Sequence, residues 1–349
     1  MKTNTLLTSL SDYFGSYLPD IKGYGDNTIT SYQYAFKLLF DFMEEEKGLS
    51  PEKVTFANLS NGAVLEYLAW LENKRGCSPV TRNLRRTAIS SFGKYALKSN
   101  FSEGLLFYTN VKDIPKKKTP KDSEIKYFTK EEIALILNTP DTRTAIGRRD
   151  VMLLSFLYAS GARAQELCDL TVNDVYFSTE ATNVRLIGKG RKARMVTIPE
   201  NCAIMLKNYL DSRNLDTSRV KDRSRHVFSS QTNEHMSTSC VGELVKKYVA
   251  IVKAEHPLLF KRSTYSAHSF RHSIAVHMLE SGESLVVIKA FLGHASISST
   301  VVYASVTPEL ANKYLRERGS VLEGITNETA HSESTRTAVL PFLANRYRR

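Results

Sequence analysis

"AHSFRHSIAVHMLESGESLVVIKAFLGHASISSTVVY", residues 267–303, is the stretch whose reading decides the fold. His268 and Arg271 stand three apart, so on a helix they share one face. A Gly293-His294 elbow follows, and Tyr303 lies nine positions beyond the histidine in a run of small and β-branched residues. Each feature has an ordinary explanation. A glycine closes a helix, a histidine sits satisfied in a core, and a tyrosine is buried. A functional reading needs other segments that point to the same chemistry.

Two other segments do. In "YASGARAQEL", residues 158–167, Arg163 follows a glycine turn and Glu166 comes three residues later. Alone, Arg163 reads as a surface cap. In "NVRLIGKGRKARMVTIP", residues 183–199, Val184, Leu186, Met195, Val196 and Ile198 are strand-like. Gly188 and Gly190 bracket a turn, which predicts a β-hairpin with Lys189, Arg191 and Lys192 at its tip. Alone, those are solvated turn residues. The "GKG" triplet lacks the spacing of a phosphate loop. His268 and His272 at i, i+4 resemble half a zinc site. No glutamate takes the general-base position between them and no cysteine is near, so no metal is expected.

The totals bound the partner. The chain has 349 residues and a net charge of +12, with a pI near 9.4. The length suggests about two domains. The charge suits a polyanion, nucleic acid first and an anionic membrane second. The best apolar stretch, Val151–Ala159, contains Ser155 and falls far short of the roughly 18 residues of a spanning helix. The N-terminus carries Lys2 but no apolar signal region. Cys77, Cys168, Cys202 and Cys240 are scattered, as in a reduced cytoplasmic protein.

Residues 1–112 read as a bundle of about four helices. "NTITSYQYAFKLLFDFMEEE" starts on a threonine cap and repeats apolar residues at helical spacing. In "SPVTRNLRRTAISSFGKYALKS", Arg82, Arg85 and Arg86 share one side, with Leu84, Ile89 and Phe92 on another. That is either a solvated basic face or a helix laid along a DNA groove. Residues 113–127, rich in lysine and including Lys116, Lys117 and Lys118, read as an exposed basic linker able to follow a phosphate backbone. Thr129 and Glu132 then have capping-box spacing, and a second domain runs over 128–319. Residues 320–349 form a polar tail whose apolar patch Val339–Leu343 could dock on a neighbouring subunit.

Taken together and in order, these segments resemble the tyrosine recombinases, or phage-type integrases, including the Xer proteins. The resemblance covers nearly the whole chain to about Gly319. It implies a mainly α fold with a small β-hairpin or sheet (α+β): a helical core-DNA-binding bundle and a catalytic domain forming a C-shaped clamp on DNA. Position by position, Arg163, Lys189, His268, Arg271 and His294 match the family's catalytic set and Tyr303 matches its nucleophile. Glu166 matches a supporting acidic residue, and His272 beside the pair reads as structural. Ala162, Gln165 and Phe270 depart from the expected lining without touching a catalytic role.

The chemistry such a set performs is specific. Attack on a phosphodiester loads negative charge onto its non-bridging oxygens, which arginine forks meet bidentately. A phenol of ordinary pKa near 10 must lose its proton on attack. His268 is the candidate base. Lys189 suits protonation of the leaving 5′ oxygen, with Lys192 as runner-up. The resemblance implies a 3′-phosphotyrosyl intermediate, a Holliday junction, and no metal, ATP or other cofactor. Its expected partners are double-stranded recombination sites bound by a homotetramer, assembled from a monomer or weak dimer off DNA, with any accessory protein unknown. It also implies a cytoplasmic, nucleoid-associated protein of a bacterium or archaeon, acting in mobile-element integration and excision or in Xer-type resolution. A type IB topoisomerase-like relaxing enzyme and a non-catalytic DNA-binding regulator are the rival readings. The helical bundle starts so early that a separate arm-site domain is not expected.

Overall fold

Serine caps start two of the N-terminal helices. Ser60 accepts a hydrogen bond from the Ala63 amide at the head of α3 (Asn61–Asn73). Ser78 accepts one from the Thr81 amide at the head of α4 (Pro79–Ser99), where Pro79 suits the first turn. Before them come α1 (Thr5–Asp12), a π-helical turn over Tyr13–Ile21, and α2 (Asp26–Lys47), which ends at Gly48 with φ 64°. After them comes α5 (Phe101–Lys112). This computed structural model describes residues 5–119, 125–261 and 264–304, and only the backbone of Lys189. It divides into two units, Met1–Ser123 and Glu124–Arg349. The tail 320–349 lies outside the described residues.

The first unit is built on aromatic packing. Phe36, Phe42, Tyr67, Trp70, Phe92 and Phe107 are buried together. Gly104 lets α5 lie directly on α4, because a Cβ there would stand 2.1 Å from the Ala96 carbonyl oxygen. The sequence suggests about four helices here, and the described part of the unit has five. The first of them, α1, runs into the π-helical turn containing Pro19.

The basic side of α4 is engaged within its own unit. Arg82 is buried and bonds the Pro115 carbonyl at 3.1 Å. Arg85 bonds the Ser31 carbonyl at 2.9 Å and lies over the Tyr34 ring. Arg86 donates to the carbonyls of Ile114 (2.8 Å) and Lys112 (3.2 Å). All three guanidinium groups therefore spend donors within the unit, where carbonyl ends of neighbouring segments offer acceptors. Leu84, expected on the apolar side, is 45% exposed. The start of the linker is also held. Ile114 is buried, and the Lys117 amide donates to Asn83 while the Asn83 amide returns a bond to the Lys117 carbonyl. Lys117 also reaches Glu72 at 2.9 Å, and all three lysines 116–118 are exposed.

The second unit starts on the expected capping box. Thr129 and Glu132 exchange hydrogen bonds at the head of α6 (Lys130–Asn138), and the second Glu132 oxygen accepts from the Phe260 amide. Helix α7 (Ala145–Ser160) stops at Gly161 with φ 58°, and α8 (Ala164–Cys168) follows. Strands β1 (Val175–Tyr176), β2 (Thr182–Ile187) and β3 (Ala193–Ile198) form an antiparallel sheet in that order. Helices α9 (Glu200–Ser212) and α10 (Thr238–Glu255) complete the core. Then come α11 (Ala267–Glu280), α12 (Leu285–Leu292) and α13 (Ser298–Val301). The molecule is mainly α with one small sheet, as the sequence implies.

The hairpin register decides what points inward. Val184 pairs with Val196 and Leu186 with Arg194. Alternation along β3 buries Val196 and Ile198 and puts Arg194 on their face. Met195, expected among the apolar strand residues, points the other way and is exposed.

Candidate active site

Glu166 is the anchor of the site. Its carboxylate is buried on the first turn of α8 and takes a fork from Arg194, both bonds at 2.9 Å. It also accepts from the Arg163 main-chain amide (2.9 Å) and from the Arg163 guanidinium (2.6 Å). Burial pushes this carboxyl up, but Arg194 and Arg163 together outweigh it and hold it below the usual carboxylate range. Arg163 is thereby aimed by a fixed anion, with part of its guanidinium still open to solvent. Arg194 also donates from Nε to the Phe291 carbonyl at 3.1 Å, tying the hairpin to the end of α12.

Arg271 lies on α11 with none of its surface exposed. Its two terminal nitrogens bind the carbonyls of Gly161 (2.6 Å) and Leu292 (2.5 Å). The Leu292 carbonyl is the last of α12 and carries partial negative charge, and the Gly161 carbonyl belongs to the cap residue after α7. Its Nε is buried with no partner among the described residues. Burial, then Arg163 and Arg194, push its pKa down to about 9, so it is charged at neutral pH.

The elbow forms as the sequence suggests. Gly293 ends α12 at φ 65°, and a Cβ there would meet the Arg194 side chain at 2.8 Å. His294 Nδ1 is 2.9 Å from Thr300 Oγ1, which joins the two ends of the small-residue run. Tyr303 is 1% exposed, and its ring lies nearly parallel to that of His294, at 13° with centroids 6.4 Å apart. Burial raises the phenol, while Arg271 and Arg163 oppose that rise. Burial first, then Arg271 and Arg163, hold His294 down to about 4, which keeps it neutral at pH 7.

His272, read from the sequence as structural, stands against the phenol. Its Nδ1 is 3.0 Å from Tyr303 Oη. His268 lies one helical turn away, its ring 4.5 Å from that of His272 and nearly perpendicular to it. Burial, then Arg271 and Arg163, depress its pKa. No group of three or more His, Cys, Asp or Glu side chains that could hold a metal ion occurs among the described residues.

Thus Arg163 and Glu166 at the start of α8, His268 and Arg271 on α11, His294 at the elbow and Tyr303 beyond α13 come to one place. The backbone of Lys189 sits at the hairpin tip, with Gly190 at φ 74° and Arg191 at φ 58°, and Arg191 and Lys192 are exposed there. Sequence reasoning missed Arg194 and the contact of His272. Only strand alternation could have separated Arg194 from the solvated bases beside it.

Residues 126–309 match the phage integrase family, and residues 10–103 match the N-terminal SAM-like domain of phage integrases. The chain belongs to the phage integrase family, the tyrosine recombinases. This integrase is 32% identical over 313 residues to the tyrosine recombinase XerA of Pyrococcus horikoshii, covering 89% of this chain and 92% of the relative. It is 30% identical over 308 residues to XerC of Myxococcus xanthus, covering 87% and 95%. Its fold is shared with the XerH recombinase solved after cleavage of a palindromic difH substrate, at 20% identity and TM-score 0.63 over 84% of this chain and 81% of that one. A lambda integrase dimer on a core site gives 15% identity and TM-score 0.60 over 85% and 76%. The activity class of the integrase is site-specific recombination.

Proposed function

We propose that this integrase cuts and rejoins duplex DNA through a covalent bond between Tyr303 and a 3′ phosphate, exchanging strands in pairs through a Holliday junction. One observation carries the assignment: the Tyr303 phenol lies among His272, His294 and the charged Arg271, on the side of the unit where Glu166 aims Arg163. A phosphate seated on Arg163 and Arg271 would meet two guanidinium groups that keep their charge as its oxygens gain it. His268 and His294 add neutral N–H donors. Lys189 protonates the departing 5′ oxygen from the hairpin tip, with Lys192 next in line. The guanidinium of Arg271 is covered, so a phosphate reaches it once the Gly293–Tyr303 segment shifts.

The remaining assignments follow the same reading. The first unit, with Arg82, Arg85 and Arg86 shaping α4 from within, binds the core site. Lys116, Lys118 and the hairpin residues Arg191 and Lys192 meet phosphates as exposed cations. The working form is a homotetramer on two paired duplex sites. It serves either integration and excision of a mobile element or Xer-type resolution. The test is incubation of two differently marked duplexes carrying a site selected from random-sequence DNA. Recombinant duplexes and four-way junctions are the expected products. Relaxation of supercoiled DNA with no exchange on any selected site would overturn the reading.

A further inference from the structure

We propose that Gly188 is a positioning residue of the reaction: bare backbone at the base of the hairpin rests on the Arg163–Glu166 pair and so holds the general acid beside the phosphate. The inference rests on Lys189 being that acid. Its basis is a close approach. A Cβ built on Gly188 would stand 3.0 Å from Glu166 Oε1 and 3.5 Å from Arg163 Nη1. Ordinary contact between carbon atoms is about 3.5–4.0 Å, so only a residue without a side chain sits there without displacing a neighbour. The φ of Gly188 is −94°, open to any residue, so space and not backbone conformation sets the requirement.

Strand alternation explains the direction. Val184 and Leu186 on β2 are buried, and Gly188, two residues on, falls on the same face. Arg194, paired with Leu186, lies on that face too, and its fork holds Glu166. Glu166 Oε1 therefore meets both arms of the hairpin, Arg194 on β3 by a hydrogen bond and Gly188 beyond β2 by close approach.

Four hydrogen bonds decide which neighbour would yield to a larger residue. Oε1 accepts from Arg163 Nη1 (2.6 Å) and Arg194 Nη1 (2.9 Å), and Oε2 accepts from Arg194 Nη2 and the Arg163 amide (both 2.9 Å). The carboxylate is buried and cannot turn without breaking some of them. The hairpin tip is held more lightly. Its closing bond runs from the Gly188 amide to the Lys192 carbonyl at 2.9 Å, and Gly190, Arg191 and Lys192 are exposed. A side chain at 188 therefore lifts the hairpin base and leaves the Arg163–Glu166 pair in place. Lys189 is one peptide from Gly188, about 3.8 Å between Cα atoms, so its backbone moves with the base. The glycine thus makes the acid and the phosphate clamp a single unit. Its loss falls on the proton given to the departing 5′ oxygen.

The test uses the full chain on a nicked duplex that traps the covalent adduct. The scissile phosphate is either an ordinary diester or carries sulfur in place of the bridging 5′ oxygen. When the P–O5′ bond breaks, the oxygen must take a proton, whereas sulfur leaves as the thiolate without one. The atoms nearest the added Cβ belong to Glu166, Arg163 and the Lys192 carbonyl, none of them in a hydrophobic core. Gly188→Ala is therefore expected to fold and to bind DNA as the parent does. It should form adduct about 10-fold or more slowly on the diester, yet within about threefold of the parent on the sulfur substrate. Lys189→Ala, the reference for loss of the acid, should show the same rescue. Adding Gly188→Ala to it should slow the diester no further, because both changes remove one function. A deficit of equal size on both substrates, from a shifted Arg163 or a lost fold, would overturn the proposal. So would a parental diester rate, or effects that multiply in the double variant. Failure of sulfur to rescue Lys189→Ala would instead overturn the assignment of Lys189 as the acid, and the proposal with it.

Discussion

A single buried carboxylate organises the cations of this site. Glu166 is held by Arg194 and in turn holds Arg163, so Arg194 acts on the reaction through an anion and not by touching the substrate. The Arg194→Leu variant should lower the unfolding free energy by about 3 kcal/mol in urea denaturation, the cost of leaving one partner of a buried pair. The same variant should slow adduct formation while binding DNA nearly as well, because Arg163 loses its fixed aim. Unchanged stability would mean that Arg163 alone satisfies Glu166. The motif residues Arg163, His268, Arg271, His294 and Tyr303 were legible through the resemblance of their segments, taken together, to the tyrosine recombinases; alone, each reads as an ordinary cap, core or helix residue. Arg194 could not be singled out among Arg191, Lys192 and itself without the β2–β3 register, which turns it inward behind Val196. The contact of His272 with the phenol was equally out of reach. It depends on where the segment after Gly293 folds back, and no local spacing reports that.

At the scale of elements, helix ends make the site. The carbonyls of Gly161, the cap after α7, and of Leu292, the last residue of α12, seat Arg271, so the stops at Gly161 and Gly293 position the site. At Gly161 a Cβ would stand 3.0 Å from Leu292 and Phe291 on a backbone at φ 58°. Gly161→Ala should therefore cost about 1–2 kcal/mol from backbone strain and crowding. It should also slow cleavage more than binding, since the carbonyl under Arg271 moves. An unchanged cleavage rate would show that the Arg271 seat tolerates displacement. The stops were legible because glycine after an apolar helix is a chemical signal. The fate of the α4 arginines was not, because helical spacing gives a shared side but does not tell whether carbonyls of other segments wait there. Arg85 and Arg86 meet such carbonyls on α2 and at the end of α5.

At the scale of the whole molecule, two units of different character carry a net charge of +12. The first has an aromatic helical core, and the second holds every residue assigned to the reaction. The sequence reads as a lysine-rich stretch, 113–127, between two capped helical regions. The tight hold of Ile114 and Lys117 on the first unit was not legible, because it depends on Asn83 and Glu72, distant in sequence. The central claim is that the Tyr303 oxygen attacks the phosphate. Protease digestion and mass spectrometry of adduct trapped on a nicked duplex test it most directly. The predicted result is a single peptide bearing a 3′-phosphonucleotide on Tyr303, a free 5′ hydroxyl on the released strand, and no adduct with Tyr303→Phe. A nucleotide on any other residue, or a 5′-phosphate linkage, would contradict the account.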